Sequence, residues 1–224
     1  MTFSLLGRCS DTGAFGMVVS SSSIAVTARC AHLRAGAGAV ASQNITDPRL
    51  GPRGLDLMTD GAEADRALTT LVAEAPHAAF RQIALIDRNG GTAAYSGART
   101  LGIHADTQGQ DAVAAGNMLA NDSVPSAMIA AFESALGQPL GDRLITALQA
   151  GASAGGEAGP VRSAGLILVR EVAWPIADLR VDWAQDPIGD LTSLWARWAP
   201  EMDAYVTRAL DPATAPAYGV PGDP

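Results

Sequence analysis

Thr2 is the residue of this chain that could do covalent chemistry with the fewest helpers. Removal of Met1 would leave a hydroxyl and a free α-amine on one residue. Methionine aminopeptidases act where the next residue is small, and threonine qualifies. An α-amine titrates at about 8, so part of it is neutral at pH 7. It can take the hydroxyl proton as Oγ1 attacks a carbonyl, then pass it to the leaving group. Nucleophile and base are thus assembled in one residue. The plainer reading is that Thr2 opens a strand, since threonine is a good strand former.

The amine matters because the chain offers no other. All 15 basic residues are arginine. That closes Schiff-base chemistry, pyridoxal phosphate attachment, a P-loop lysine and Ser-Lys dyads. His32, His77 and His104 show no HxxxH spacing, and there is no CxxC, so no metal site is expected. Neither a GxxxxGKS loop, nor a GxGxxG between strand and helix, nor a GxSxG elbow is present, and no cofactor is expected. His104 near Asp106 is the one local hint of a Ser-His-Asp arrangement.

Further candidates sit at predicted strand ends. Ser20, Ser21, Ser22 and Ser23 are consecutive hydroxyls. In a strand alternate ones face opposite sides, so a pair containing Ser21 could line a cleft near Thr2. Small serines also let layers pack closely. Asn44 and Asn117 could each donate to an oxyanion, although asparagine also suits turns and caps. Arg29 or Arg34, just past the second strand, could supply positive charge but cannot act as a base. Arg49 and Arg53 are four apart and would face the same way on a helix. They could hold a substrate carboxylate, or they could pin their loop to Asp47 or Asp56.

The elements that must position these residues follow from the pattern. TFSLLGRC and GMVVSSSSIAVTA flank a glycine turn and read as a hairpin over residues 2 to about 28. GAVAS is a further strand. TDPRLGPRGLDLM reads as a helix entry, with Thr46 or Asp47 as cap and Pro48 or Pro52 first in the helix. AEADRALTTLVAEA is a second amphipathic helix. RQIALIDRNGGTAAYSG is a hairpin around Asn89-Gly90-Gly91. DAVAAGNML is a strand, and NDSVPSAMIAAFESAL and GDRLITALQAG are helices. GASAGGEAGP reads as a flexible connector. SAGLILVRE is a buried strand, and ADLRVDW lies at a sheet edge. DPIGDLTSLWARWAPEMDAYVTRAL is a final helix bent at Pro200. With helices arriving in pairs, the class is α+β. The most apolar strands look covered on both faces, as two packed sheets with helices outside each would arrange.

At 224 residues the chain reads as one domain over 1–210 with a Pro-rich tail over 211–224. A net charge of −8 argues against nucleic-acid and anionic-membrane surfaces. Two cysteines, no basic-then-apolar leader and no apolar run of spanning length point to a soluble cytoplasmic protein. Trp195, Trp198 and Tyr205 on the last helix suggest either a homo-oligomer interface or ordinary core packing.

The start TFSLLGRCSDTGAFGMVVSSSSIAV resembles the opening hairpin of the N-terminal nucleophile (Ntn) hydrolases, the superfamily of the proteasome β-subunit. Together with GAGAVASQNITDPRLGPRGLDLM, RQIALIDRNGGTAAYSG and AAGNML, it is similar to domain-of-unknown-function family 1028. The resemblance covers most of residues 2 to 150, and TDPRLGPRGL is its most specific part. It implies a four-layer αββα sandwich, Ntn-hydrolase-like, and amide-bond hydrolysis or acyl transfer; the expected function is hydrolysis of a small-molecule amide or related C–N bond. It differs from the proteasome branch in lacking a lysine beside the nucleophile. The expected site is Thr2 as nucleophile, Asn44 or Asn117 at the oxyanion, and Ser21, Arg29, Arg49 and Arg53 toward substrate. A non-catalytic scaffold binding a small ligand or partner protein is the alternative.

Overall fold

In Thr2–Arg8 (β1) the side-chain period of two sorts the residues at once. Phe3 and Leu5 join one apolar core, while Leu6, on the parity of Thr2 and Ser4, joins another. The same sorting runs through Phe15–Ser21 (β2) and Ala112–Asn117 (β8), which flank β1 on either side in antiparallel register. Ser163–Val169 (β9), Ala177–Val181 (β10) and Ala105–Gly109 (β7) complete a six-stranded sheet in the order β10-β9-β2-β1-β8-β7. A second antiparallel sheet contains Ala31–Arg34 (β3), Gly38–Asn44 (β4), Arg81–Asp87 (β5) and Thr92–Ser96 (β6), in that order. The computed structural model describes residues 1–222.

Three cores hold these pieces. Val124–Ser134 (α4), Leu140–Ser153 (α5) and Pro187–Trp198 (α6) bury Met128, Phe132, Leu144, Leu148 and Leu191 against Phe3, Leu5, Val18 and Leu166. Leu50–Thr59 (α2) and Ala64–Glu74 (α3) bury Leu55, Met58, Ala67 and Leu71 against Val40, Ile83 and Leu85 of the smaller sheet. The remaining core draws on both sheets, with Leu6, Met17, Val19 and Val113 meeting Ala39, Ala41, Ala84 and Ile86. Alanines on the smaller sheet leave room for the larger side chains opposite, which keeps this core dense.

The hairpin read as running to residue 28 ends earlier. Strand pairing stops at Ser21, Ala25 turns left-handed at φ 51°, and Val26–Cys30 forms a short helix (α1). Tertiary burial overrides the β-branched sequence there: Val26 and Cys30 enter the two-sheet core, and Val26 N donates to Ser163 Oγ at 3.2 Å. Gly165 of β9 lies under this helix, and a Cβ added there would be 2.0 Å from Thr27 Oγ1. β7 also escapes the sequence pattern, because its alternating half-exposed polar residues are those of an edge strand.

Pro200 divides the last helix into α6 and Met202–Leu210 (α7), as a residue lacking an N–H would. Trp195 is buried, with Nε1 donating to Asp142 Oδ1 at 2.6 Å, and Trp198 stacks on Tyr205 at 5.0 Å. These aromatics are engaged within the chain. In the tail, Arg208 lies 3.9 Å over the Tyr218 ring; Asp223 and Pro224 of the expected tail lie outside the described residues. Among the described residues no helix is long and apolar enough to cross a membrane.

Candidate active site

Register and parity bring a set of polar side chains to one end of the space between the sheets. Thr2 pairs with Asn117 on β8, and Phe3 pairs with Ser20, next to Ser21 on β2. Thr2, Ser21 and Asn117 share the parity of Leu6, Val19 and Ala115, which face the smaller sheet. Gln43 and Gln82 share that of Ala41 and Ala84, so they come from the opposite side. Thr2 is 5% exposed, and Ser4, Ser21, Gln43, Gln82 and Asn117 are buried.

Around Thr2 the hydroxyls converge on one carbonyl. Met1 O accepts from Ser21 Oγ at 2.5 Å and from Thr2 Oγ1. Ser21 Oγ is 2.8 Å from Ser23 Oγ, which in turn accepts from Arg29 at 2.5 Å. Arg29 also donates to the carbonyls of Ile24 and, at 2.9 Å, Ala25. The guanidinium therefore reaches the Thr2 end through two serines.

Behind Thr2 lies a chain of buried amides. Ser4 Oγ donates to Gln43 Oε1 at 2.8 Å, and Gln43 Nε2 donates to Gln82 Oε1 at 2.8 Å. Asn117 Nδ2 donates to the same Gln82 oxygen at 3.0 Å. Gln82 Nε2 donates to Gly116 O at 2.9 Å and to Ser96 Oγ at 3.0 Å. Asn117 Oδ1 is buried without a partner.

Glu157 completes this end. It sits in GASAGGEAGP, whose backbone bridges to Leu119 instead of running free, and it is 5% exposed. Its carboxylate accepts from Ser22 N at 3.0 and 3.1 Å. Burial pushes the carboxyl up to about 7, against the opposing pull of the Met1 amine and the Ser22 hydrogen bond. A buried group titrating there marks functional sites often enough to single it out. The one sequence signal for it was a lone acid in a run of glycine and alanine. Nearby, burial raises the Cys30 thiol, while Arg29 and the same amine pull it down.

The other expected residues lie apart from Thr2. Asn44 has φ 71°; its Nδ2 donates to Phe80 O at 2.6 Å and its Oδ1 accepts from Leu101 N at 3.2 Å, so both amide ends join loops. Arg49 grips Asp47 through two donors at 2.8 and 2.9 Å, and its hydrogen bonds hold that carboxyl at about 2. Arg53 grips Glu74, at 2.9 Å through each donor. Both arginines border a shallow pocket of about 200 Å³ at the start of α2, a helix that packs on the face of the smaller sheet away from Thr2. Arg34 pairs with Asp56 at 2.9 Å. His104 is exposed, with Nδ1 3.1 Å from Gly102 O. Among the described residues no three His, Cys, Asp or Glu side chains gather as a metal would require.

A model of the family described as "Family of unknown function (DUF1028)" matches residues 2–191. The fold is similar to the crystal structure of a protein from Silicibacter pomeroyi assigned to the same family, with a TM-score of 0.81 and 30% identity over 88% of this chain and 85% of that one. A distant similarity reaches Anbu (ancestral beta-subunit) from Yersinia bercovieri, with a TM-score of 0.43 and 8% identity over 90% of this chain and 96% of that one. No curated protein compared with the chain matches it.

Proposed function

The chain belongs to the DUF1028 family of unknown function, and from that premise we propose that it hydrolyses a small amide or related C–N bond through Thr2 as an N-terminal nucleophile. We read the three cores as the layers of a four-layer αββα sandwich, Ntn-hydrolase-like, with the site between its sheets. The observation that carries the reading is the Met1 carbonyl. It lies beside Thr2 Oγ1, and Ser21 donates to it at 2.5 Å. A substrate carbonyl attacked by Oγ1 would occupy that neighbourhood once Met1 is gone.

The steps balance with few parts. The Thr2 α-amine takes the hydroxyl proton as Oγ1 bonds to the carbonyl carbon. Ser21 hydrogen-bonds the oxyanion. The tetrahedral intermediate collapses, the C–N bond breaks, and the ammonium returns its proton to the leaving nitrogen. Water, deprotonated by the same amine, then cleaves the Thr2 ester and releases the acid. Arg29, tied to Ser21 through Ser23, is the cation suited to an acidic group on the substrate. Arg49 and Arg53, engaged by Asp47 and Glu74 apart from Thr2, take no part in these steps.

A second reading has one observation in its favour: Thr2 is nearly buried, and its hydroxyl is spent on the Met1 carbonyl. A chain that keeps Met1 would be a non-catalytic scaffold for a ligand or partner. Intact mass separates the two. Protein released from a cleavable N-terminal fusion to begin at Thr2 should gain one adduct from a β-lactone, which acylates a nucleophilic hydroxyl. The Met1-retaining protein and the Thr2→Ala variant should gain none. No adduct on the Thr2-start protein, with no turnover of an amide library, would overturn the hydrolase reading.

A further inference from the structure

The Gly116 carbonyl fixes the direction of the whole amide chain behind Thr2. A backbone carbonyl can only accept, so Gln82 must turn its Nε2 toward Gly116 O, at 2.9 Å. Gln82 Oε1 is then the acceptor for both other amides, and Gln43 and Asn117 must each present nitrogen to it. Gln43 has its oxygen satisfied by the Ser4 hydroxyl. Asn117 has nothing for its own: Oδ1 is buried and unpaired. A buried acceptor left unmade forfeits its hydration without a replacement bond, and native interiors seldom keep one without a use.

We infer that Asn117 Oδ1 is the seat of the Thr2 α-amine once Met1 has been removed, which makes Asn117 a positioning residue for the N-terminal base. Thr2 is the direct cross-strand partner of Asn117, on the same face, where Cβ atoms lie roughly 4.5–5.5 Å apart. With Met1 in place the Thr2 nitrogen is a strand amide and its hydroxyl turns to Met1 O. Cleavage of the Met1–Thr2 bond creates new N–H donors at this point, on the cross-strand neighbour of an amide whose oxygen is buried and unpaired. One N–H held by Asn117 leaves the amine lone pair free to turn toward Oγ1. The part expected of Asn117 thereby changes, from donor to an oxyanion to acceptor for the base.

The inference rests on the Thr2 reading but is tested without turnover. With Met1 in place, the groups that bear on the Met1 amine by charge are Glu157 from the connector and Cys30 from α1, with Arg29 beyond Ser23. Thr2-start protein carrying labelled threonine is titrated by NMR, as wild type and as Asn117→Ala, each with and without Glu157→Gln. Loss of an acceptor that favours the ammonium should lower the amine pKa by about one pH unit, in both Glu157 backgrounds. A structure of wild-type Thr2-start protein should place the amine nitrogen within about 3.2 Å of Oδ1. An unchanged amine pKa in folded Asn117→Ala, or a structure in which Oδ1 stays unpaired or takes another donor, would overturn the inference. If Asn117→Ala does not fold, the wild-type structure decides. A shifted amine without any lactone adduct would sink the hydrolase reading and leave this one standing.

Discussion

Both carboxylate oxygens of Glu157 receive the single N–H of Ser22, at 3.0 and 3.1 Å. The contact ties the exit of β2 to the segment that bridges Leu119, just beyond β8. Since β2 and β8 flank β1, Glu157 spans the end of the strand that Thr2 begins.

This placement gives stability a specific pH dependence. The carboxyl lies at 4.5 in its ordinary state and at about 7 in the folded protein. Between those values the folded state holds a proton that the unfolded chain has shed. The contribution is therefore fully present below about 4.5 and falls as pH rises through about 7, by on the order of 3 kcal/mol. Glu157→Gln keeps an acceptor for Ser22 and loses the titration. Urea unfolding at pH 5 and pH 8 should show the variant gaining on wild type at the higher pH. Parallel curves would refute the burial account.

Ser21→Ala removes the donor to the carbonyl beside Thr2 Oγ1. Losing one such donor typically costs about 10²–10³ in rate. Acylation of the Thr2-start protein by the lactone should slow by that factor, with an unchanged circular dichroism spectrum. A loss below threefold would move the oxyanion contact elsewhere.

Gln82→Leu removes the hub of the amide chain. It strands Gln43 Nε2, Asn117 Nδ2 and Gly116 O in the interior. At about 1–3 kcal/mol for each unmet group, stability should fall by about 3 kcal/mol or more. Gln82→Glu should also destabilise, since one oxygen would face Gly116 O. Chemical denaturation of both variants measures the loss.

Gly165→Ala tests the close approach of α1 to β9. The added methyl would meet Thr27 Oγ1 at 2.0 Å. Overpacking of this kind costs about 1–3 kcal/mol. Gly165→Ala with Thr27→Ser, which keeps the hydroxyl and loses the branch, should recover only part of that, because Oγ1 is the nearest atom.

The sequence was most legible where period and punctuation agreed. β5 and β6 around Asn89-Gly90-Gly91, the paired helices, and the edge position of β10 follow directly from pattern. α1 did not, because its residues favour strand and only burial against β9 makes a helix of them. The candidate site divides along the same line. Thr2, Ser21 and Asn117 could be singled out by residue type at strand ends, and register brings them together. Gln43, Gln82 and Glu157 could not, since nothing local distinguishes a buried amide or acid from an exposed one. Arg49 and Arg53 were attractive for their spacing, but spacing says nothing of Asp47 and Glu74, which engage them.

The central position of β1 sets a clock on any processing from outside. Its partner β8 lies more than 100 residues further along the chain, Thr2 opposite Asn117. During synthesis the first residues stay accessible until that distant strand has emerged and closed against them. Afterwards Thr2 is 5% exposed and paired with Asn117, at the head of a strand flanked on both sides. An aminopeptidase that is to free Thr2 must therefore finish before roughly half of the polypeptide has left the ribosome and folded back, and slow removal would trap the protein with its entrance residue in place.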